Sequence, residues 1–286
     1  MVKQEYGISF NGLHSWRDMN LAMEERQEIG APEPELYVYE IPGRNGLLDL
    51  SEAMTGRVNY KARTLTCSFV MMDDAKRWAS RYSEILLLLH GKRMRIVCDD
   101  DPMYYYEGRV LVDPIKSSRY TGKITVTAKV DPYKYETFSS VEPWLWDPFS
   151  FRFGVIRNYG RLTADGALDA EHSIAVSGTK VLNVIGSPMP TSPVFYAISS
   201  DGNGISVTYK GTTYPLYLVD AEHTVAGHNV IEGPQTGPVN ISRSDVDFNW
   251  HTGGMCYPAI EVLDGEQTMR FTGNGAVAVE YRGGRP

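Results

Sequence analysis

The chain has 286 residues, 42 % hydrophobic, 11 % aromatic and 22 % charged, a composition that argues for about two folded domains and against long disorder. Its 28 basic and 35 acidic residues leave a formal charge of −7; phosphate binding needs a basic face, so a chain this acidic is a poor candidate for gripping nucleic acid. The longest aliphatic run, residues 85–89, falls far short of the roughly 20 residues of a membrane span, and residues 1–7 lack the apolar core of a signal peptide.

The 27 glycines and 16 prolines are dispersed, as a fold of many short strands and turns requires. Residues 35–41 are the first strand candidate. Residues 43–59 then form a long, turn-rich connection carrying Leu47, Leu48 and Leu50. A connection of that length in a compact domain has a job beyond closing a hairpin. In residues 64–70, Leu65, Cys67 and Phe69 alternate with Thr64, Thr66 and Ser68, which puts one set on a buried face and the other in water.

A helix is expected over about 73–90. Asp73 or Asp74 can cap its start, and Trp78, Tyr82, Ile85, Leu86 and Leu89 recur as one apolar stripe. Gly91 ends it, as a residue that tolerates positive φ. Such a stripe packs on a sheet in preference to a membrane surface. Residues 93–98 and 104–112 are further strands. In residues 123–130, Ile124, Val126, Ala128 and Val130 alternate with Lys123, Thr125, Thr127 and Lys129.

The two halves differ in charge: residues 1–136 carry 19 basic and 20 acidic side chains, residues 137–286 carry 9 and 15. This shift, with Thr137, Ser139, Ser140 and Pro143 resembling a connector, places a domain boundary near 136–143 and gives domains of 1–136 and 137–286. The second half reads as strands alone, at 174–176, 180–185, 194–199, 205–209, 213–219, 225–231, 246–250, 259–263, 267–272 and 276–281. Lys210-Gly211, Asp264-Gly265, Gly273-Asn274-Gly275 and the Asp201–Gly204 stretch separate several of them as expected hairpin turns. Ten strands in 150 residues favour a jelly-roll β-sandwich.

Motifs for catalysis are lacking. None of His14, His90, His172, His223, His228 and His251 sits in a zinc-binding His-Glu-x-x-His pattern, and there is no nucleophile elbow or P-loop. Cys67, Cys98 and Cys256, an odd count without close spacing, argue against a disulfide framework or a zinc site. Cys67 and Cys98 read as small buried hydrophobes, and the chain as one folded in a reducing cytoplasm. Asp99-Asp100-Asp101 offers hard oxygen donors for calcium, but its place between an apolar run and Pro102 favours a solvated turn. Trp144, Trp146, Trp250 and Tyr159 could stack on a sugar; core or interface packing is the favoured reading.

The first half resembles a known family. The segments Tyr6 to Trp16, Ile41 to Ser51 and Tyr60 to Phe69, the helix followed by His90-Gly91-Lys92, the run Tyr104 to Val110, and the strand 123–130 followed by Asp131-Pro132-Tyr133 are similar, in order and spacing, to siphophage distal tail proteins. The second half matches in style only.

This resemblance implies a mainly β fold. Its first domain would be a tail-tube-like β-sandwich flanked by one helix, its second a galectin-like jelly-roll β-sandwich. It implies a homohexameric ring at the virion tail tip, synthesised and assembled in the bacterial host cytoplasm. That ring joins the tail tube protein to tail-associated or baseplate proteins, and DNA passes through it without specific binding. It implies no enzyme activity, no cofactor, no metal and no membrane partner. Leu47, Leu48 and Leu50 then become candidates for an arm reaching a neighbouring protomer, since exposed leucines need a partner surface. The alternative function is a carbohydrate-binding adhesion module acting through the C-terminal β-sandwich.

Overall fold

The computed structural model describes residues 6–43, 45–53, 56–117, 121–141, 149–150, 155–156, 159–164, 166–169, 171–201, 204–216, 240–242, 247–249 and 254–286. The chain divides into two compact units, the first ending at Thr137 and the second running from Phe138 to Arg285.

Unit 1 contains β1 (Ile8–Phe10), β2 (Leu13–His14), β3 (Leu21–Met23), β4 (Glu28–Ile29), β5 (Val38–Glu40), β6 (Leu47–Asp49) and β7 (Arg63–Met71). After these come α1 (Trp78–Leu89), β8 (Arg93–Cys98), β9 (Tyr104–Val112), β10 (Lys116–Ser117), β11 (Gly122–Val130) and β12 (Lys134–Glu136). Its main sheet runs β2-β1-β8-β9-β11-β7-β3, with β4 on β7, β10 on β11 and β12 on β9. The period-two alternation decides which face is buried. Leu65, Cys67, Phe69 and Met71 of β7 and Ile124, Val126, Ala128 and Val130 of β11 enter the core, joined by Ile8 and Phe10 of β1 and Ile96 of β8.

The helix packs as its stripe predicts. Trp78, Ile85 and Leu89 are buried, Tyr82 and Leu86 pack beside them, and Gly91 (φ 75°) turns the chain into β8. The start of the helix departs from expectation. A 3-10 turn (Ala75–Arg77) precedes it, and Asp74 makes no side-chain cap bond. Asp73 does not cap either: its buried carboxylate accepts from Arg81 Nε at 3.0 Å, and its carbonyl accepts from Trp78 Nε1 at 2.9 Å. A charge-assisted bond to a guanidinium outcompetes a bond to a backbone N–H.

Unit 2 contains β13 (Phe149–Ser150), β14 (Val155–Ile156), β15 (Ile174–Ile185), β16 (Val194–Ser199), β17 (Ile205–Tyr209), β18 (Thr212–Leu216), β19 (Asn240–Ser242), β20 (Asp247–Asn249), β21 (Gly254–Cys256) and β22 (Glu266–Glu280). β13 pairs with β14; the large sheet runs β18-β17-β22-β16-β21-β20-β19, with β15 also on β22. Phe195, Phe271, Tyr281, Val277 and Val279 lie at the centre of its core. The chain is therefore mainly β, with one short α-helix among the described residues.

Three readings of this half are corrected. Residues 174–176 and 180–185 are one strand, as are 267–272 and 276–281, because Gly273-Asn274-Gly275 is not a turn. Asn274 instead accepts from Gly178 N at 3.1 Å and donates to Asp201 Oδ2 at 2.8 Å. Here β22 exchanges partners: β17 pairs with residues 270–273 and β16 with residues 275–280. Neighbouring backbone comes so close that an added Cβ at Gly275 would lie 2.0 Å from the Ile198 carbonyl oxygen. The glycines thus serve close approach rather than chain reversal. Residues 259–263 form only an isolated bridge, Thr191 to Val262, because Ile260 N turns back to Tyr257 O at 2.9 Å. Lys210-Gly211 is a hairpin turn, with φ of 47° and 84°. The candidate strand 225–231 lies outside the described residues.

Candidate functional site

The connection read as turn-rich holds a strand. β6 pairs antiparallel with β5 through Val38↔Asp49, Tyr39↔Leu48 and Glu40↔Leu47. The pairing continues toward the body of unit 1: Leu50 N donates to Tyr37 O at 2.9 Å, Glu35 N to Asn59 O and Lys61 N to Glu33 O, both at 2.8 Å. Asp49 and Ser51 stiffen the bend after β6. Ser51 N donates to Asp49 Oδ1 at 2.8 Å, and Ser51 Oγ accepts from Tyr37 N at 2.9 Å. The hydrogen bonds from Ser51 hold the Asp49 carboxyl below the usual carboxylate range.

The result is a two-stranded ribbon whose side chains take no part in the unit 1 core. Leu47 is 59 % exposed and Leu50 41 %, while Leu48 is half-buried. The opposite strand contributes exposed residues that the sequence reading did not single out: Leu36 (60 %), Tyr37, Val38, Tyr39 and Ile41. Their signal is an apolar run between Glu35 and Glu40 without the alternation that a half-buried strand shows. An isolated two-stranded ribbon is marginal in water, and scattered single surface apolar residues are ordinary whereas a contiguous set such as this is not.

The groups tested for chemistry are committed elsewhere. The three carboxylates of Asp99–Asp101 diverge: Asp99 Oδ2 meets His14 Nε2 at 3.0 Å, Asp100 Oδ2 meets Arg26 Nη1 at 3.8 Å and Asp101 Oδ2 meets Lys134 Nζ at 2.8 Å. Asp100 also accepts from Gln27 Nε2. Three carboxylates turned toward three separate partners do not form a calcium cage.

His14 is buried, and its Nδ1 accepts from the backbone N–H groups of Trp16 and Arg17, both at 3.2 Å. The proton therefore resides on Nε2 and is donated to Asp99, which also accepts from Gly7 N at 3.0 Å. With both ring nitrogens engaged, the pair ties the chain start to the end of β8 and has no lone pair for base chemistry. A Cβ at Gly7 would lie 2.3 Å from His14 Cε1. Gly7→Ala should displace the imidazole and destabilise unit 1 by about 2 kcal/mol; a thermal melt unchanged from wild type contradicts this packing.

Burial pushes the Cys67 thiol up, and the Cys98 thiol up to about 12, so neither serves as a thiolate at neutral pH. Tyr159 is buried in the unit 2 core, where its hydroxyl accepts from Ile185 N at 2.7 Å. It cannot offer a ring face to a sugar. Trp144, Trp146, Trp250, His223, His228 and His251 lie outside the described residues. Among the described residues, no group of three His, Cys, Asp or Glu side chains could hold a metal ion, and no helix is long and apolar enough to cross a membrane.

The described parts thus define a class, a two-unit, mainly β protein with an exposed apolar ribbon. Among solved structures it is similar to "Crystal Structure of SPP1 Dit (gp 19.1) Protein, a Paradigm of Hub Adsorption Apparatus in Gram-positive Infecting Phages". The likeness covers 98 % of this chain and 99 % of that one, with a TM-score of 0.50 and 12 % sequence identity, and it is a likeness of fold. No family model and no curated protein sequence matches the chain.

Proposed function

We propose that this chain is a structural component of a phage tail tip, a non-catalytic hub that assembles as a homohexameric ring between the tail tube and the tail-associated or baseplate proteins. The observation that carries the reading is the likeness of fold to a hub adsorption protein along nearly the whole of both chains. Unit 1 builds the ring, and the ribbon of Leu36–Leu50 is its inter-protomer arm, with Leu47, Leu48 and Leu50 on one strand and Leu36 to Ile41 on the other. Unit 2 is a galectin-like jelly roll that meets the tail-associated proteins. DNA passes through the ring without specific binding. The protein is made in the host cytoplasm and resides in the virion.

Solution mass and negative-stain microscopy of the purified full chain test this together. The expected result is a six-fold ring at six times the 32.0 kDa chain mass. A monomer at every concentration up to the millimolar range contradicts the ring. A glycan array adds the second arm: binding there favours the adhesion module instead.

A further inference from the structure

Apart from the ribbon, a second surface of unit 1 combines exposed leucines with charge, and its sign is opposite. At the end of α1, Leu87 is 76 % exposed and Leu88 is exposed beside it. Lys92 reaches back over this end, its Nζ donating to Leu87 O at 2.6 Å. The next residue, Arg93, opens β8. There the register places Arg93 opposite Arg109 of β9, and Arg109 opposite Lys129 of β11. Arg109 also donates to Gly91 O, so the row and the helix end are contiguous. Leu111, exposed, follows Arg109 on the same face of β9, and Arg95 follows Arg93 on β8.

Three cations side by side across three strands are unfavourable. Glu107 and Asp131 offset the row in part, but both bind Arg93, at 2.9 and 2.8 Å. No carboxylate among the described residues lies within ion-pair distance of Arg109 or Lys129. The surface therefore holds Lys92, Arg93, Arg95, Arg109 and Lys129 against two carboxylates, a formal excess of three positive charges.

The ribbon is the complement. Residues 35–52 carry Glu35, Glu40, Asp49 and Glu52 against Arg44, a formal excess of three negative charges, alongside their exposed leucines and tyrosines. Resting on the ring reading above, we infer that the ribbon of one copy docks on the helix-end surface of the next, with Leu87, Leu88 and Leu111 receiving its apolar side chains and Arg109 and Lys129 its carboxylates. The contact joins two different surfaces, so it is heterologous and propagates around a closed ring.

Charge reversal on each side tests the pairing. The variants are Arg109→Glu with Lys129→Glu, and Glu40→Lys with Glu52→Lys, both in the full chain. All four side chains are exposed, and thermal melts check that each variant folds. Light scattering is expected to show six copies for wild type and a sixfold loss of mass for each variant alone. An equimolar mixture of the two variants is expected to return to six copies, because each reversed ribbon then meets a reversed surface and each native ribbon a native one. A ring that survives Arg109→Glu with Lys129→Glu, or a mixture that stays monomeric, overturns this docking and leaves the ring itself standing. A monomeric wild type overturns both.

Discussion

Replacing Leu36, Tyr39 and Leu47 together by serine is expected to abolish self-association while leaving the thermal stability of the chain close to that of wild type. All three side chains are more than half exposed and outside the unit 1 core, so the folded monomer loses little apolar burial. In an assembled interface each would bury area worth about 1.5–3 kcal/mol. Discounting for the costs of ordering an interface, a combined loss of about 4 kcal/mol corresponds to about a thousandfold weaker association. Sedimentation over a hundredfold concentration range, beside a calorimetric melt, reads both quantities. Equal loss of melting temperature and mass would show that the ribbon folds back onto its own chain. Unchanged mass would remove it from the interface.

The ribbon also shows what a sequence conveys and what it withholds. β7 and β11 were legible because their alternation satisfies one local rule along the strand: the buried set of β11, Ile124 to Val130, is the set the pattern picks out. β8 and β9 were legible as strand candidates without strict alternation, since β9 buries Tyr104 and Tyr105 side by side. The helix was legible through its stripe and Gly91. By contrast, β6 has Leu47 and Leu48 side by side and packs on no core, so no period marks it. β1 and β2 form a hairpin of three and two residues, too short for a pattern, and β2 is held partly through the His14–Asp99 pair, 85 positions apart in sequence. The opposing charge of ribbon and helix end could be counted in sequence, but not the register that sets Arg93, Arg109 and Lys129 in one row.

Gly275→Ala is expected to have the largest effect on stability of any single methyl addition in unit 2. Two costs combine. The φ of 149° lies where side chains are rarely tolerated, worth about 1–3 kcal/mol. The new Cβ would also stand 2.0 Å from Ile198 O and 2.9 Å from Ser199 Cα, and backbone held in the β16–β22 ladder cannot swing aside as a flexible side chain can. Overpacking of this kind adds about 1–3 kcal/mol. A combined 3–5 kcal/mol would lower the melting temperature of a unit of this size by about 10 °C and consume much of a typical domain's stability. Gly178→Ala separates the two costs: its φ is 73°, but an added Cβ there meets nothing within 4 Å. That substitution should cost about 1 kcal/mol. If both variants melt alike, backbone conformation alone is the cost, and the exchange of partners on β22 does not depend on close approach. If Gly275→Ala melts far lower, the paired glycines are what allow β16 and β17 to share one side of a single 15-residue strand, the arrangement that a hairpin-turn reading of Gly273-Asn274-Gly275 conceals.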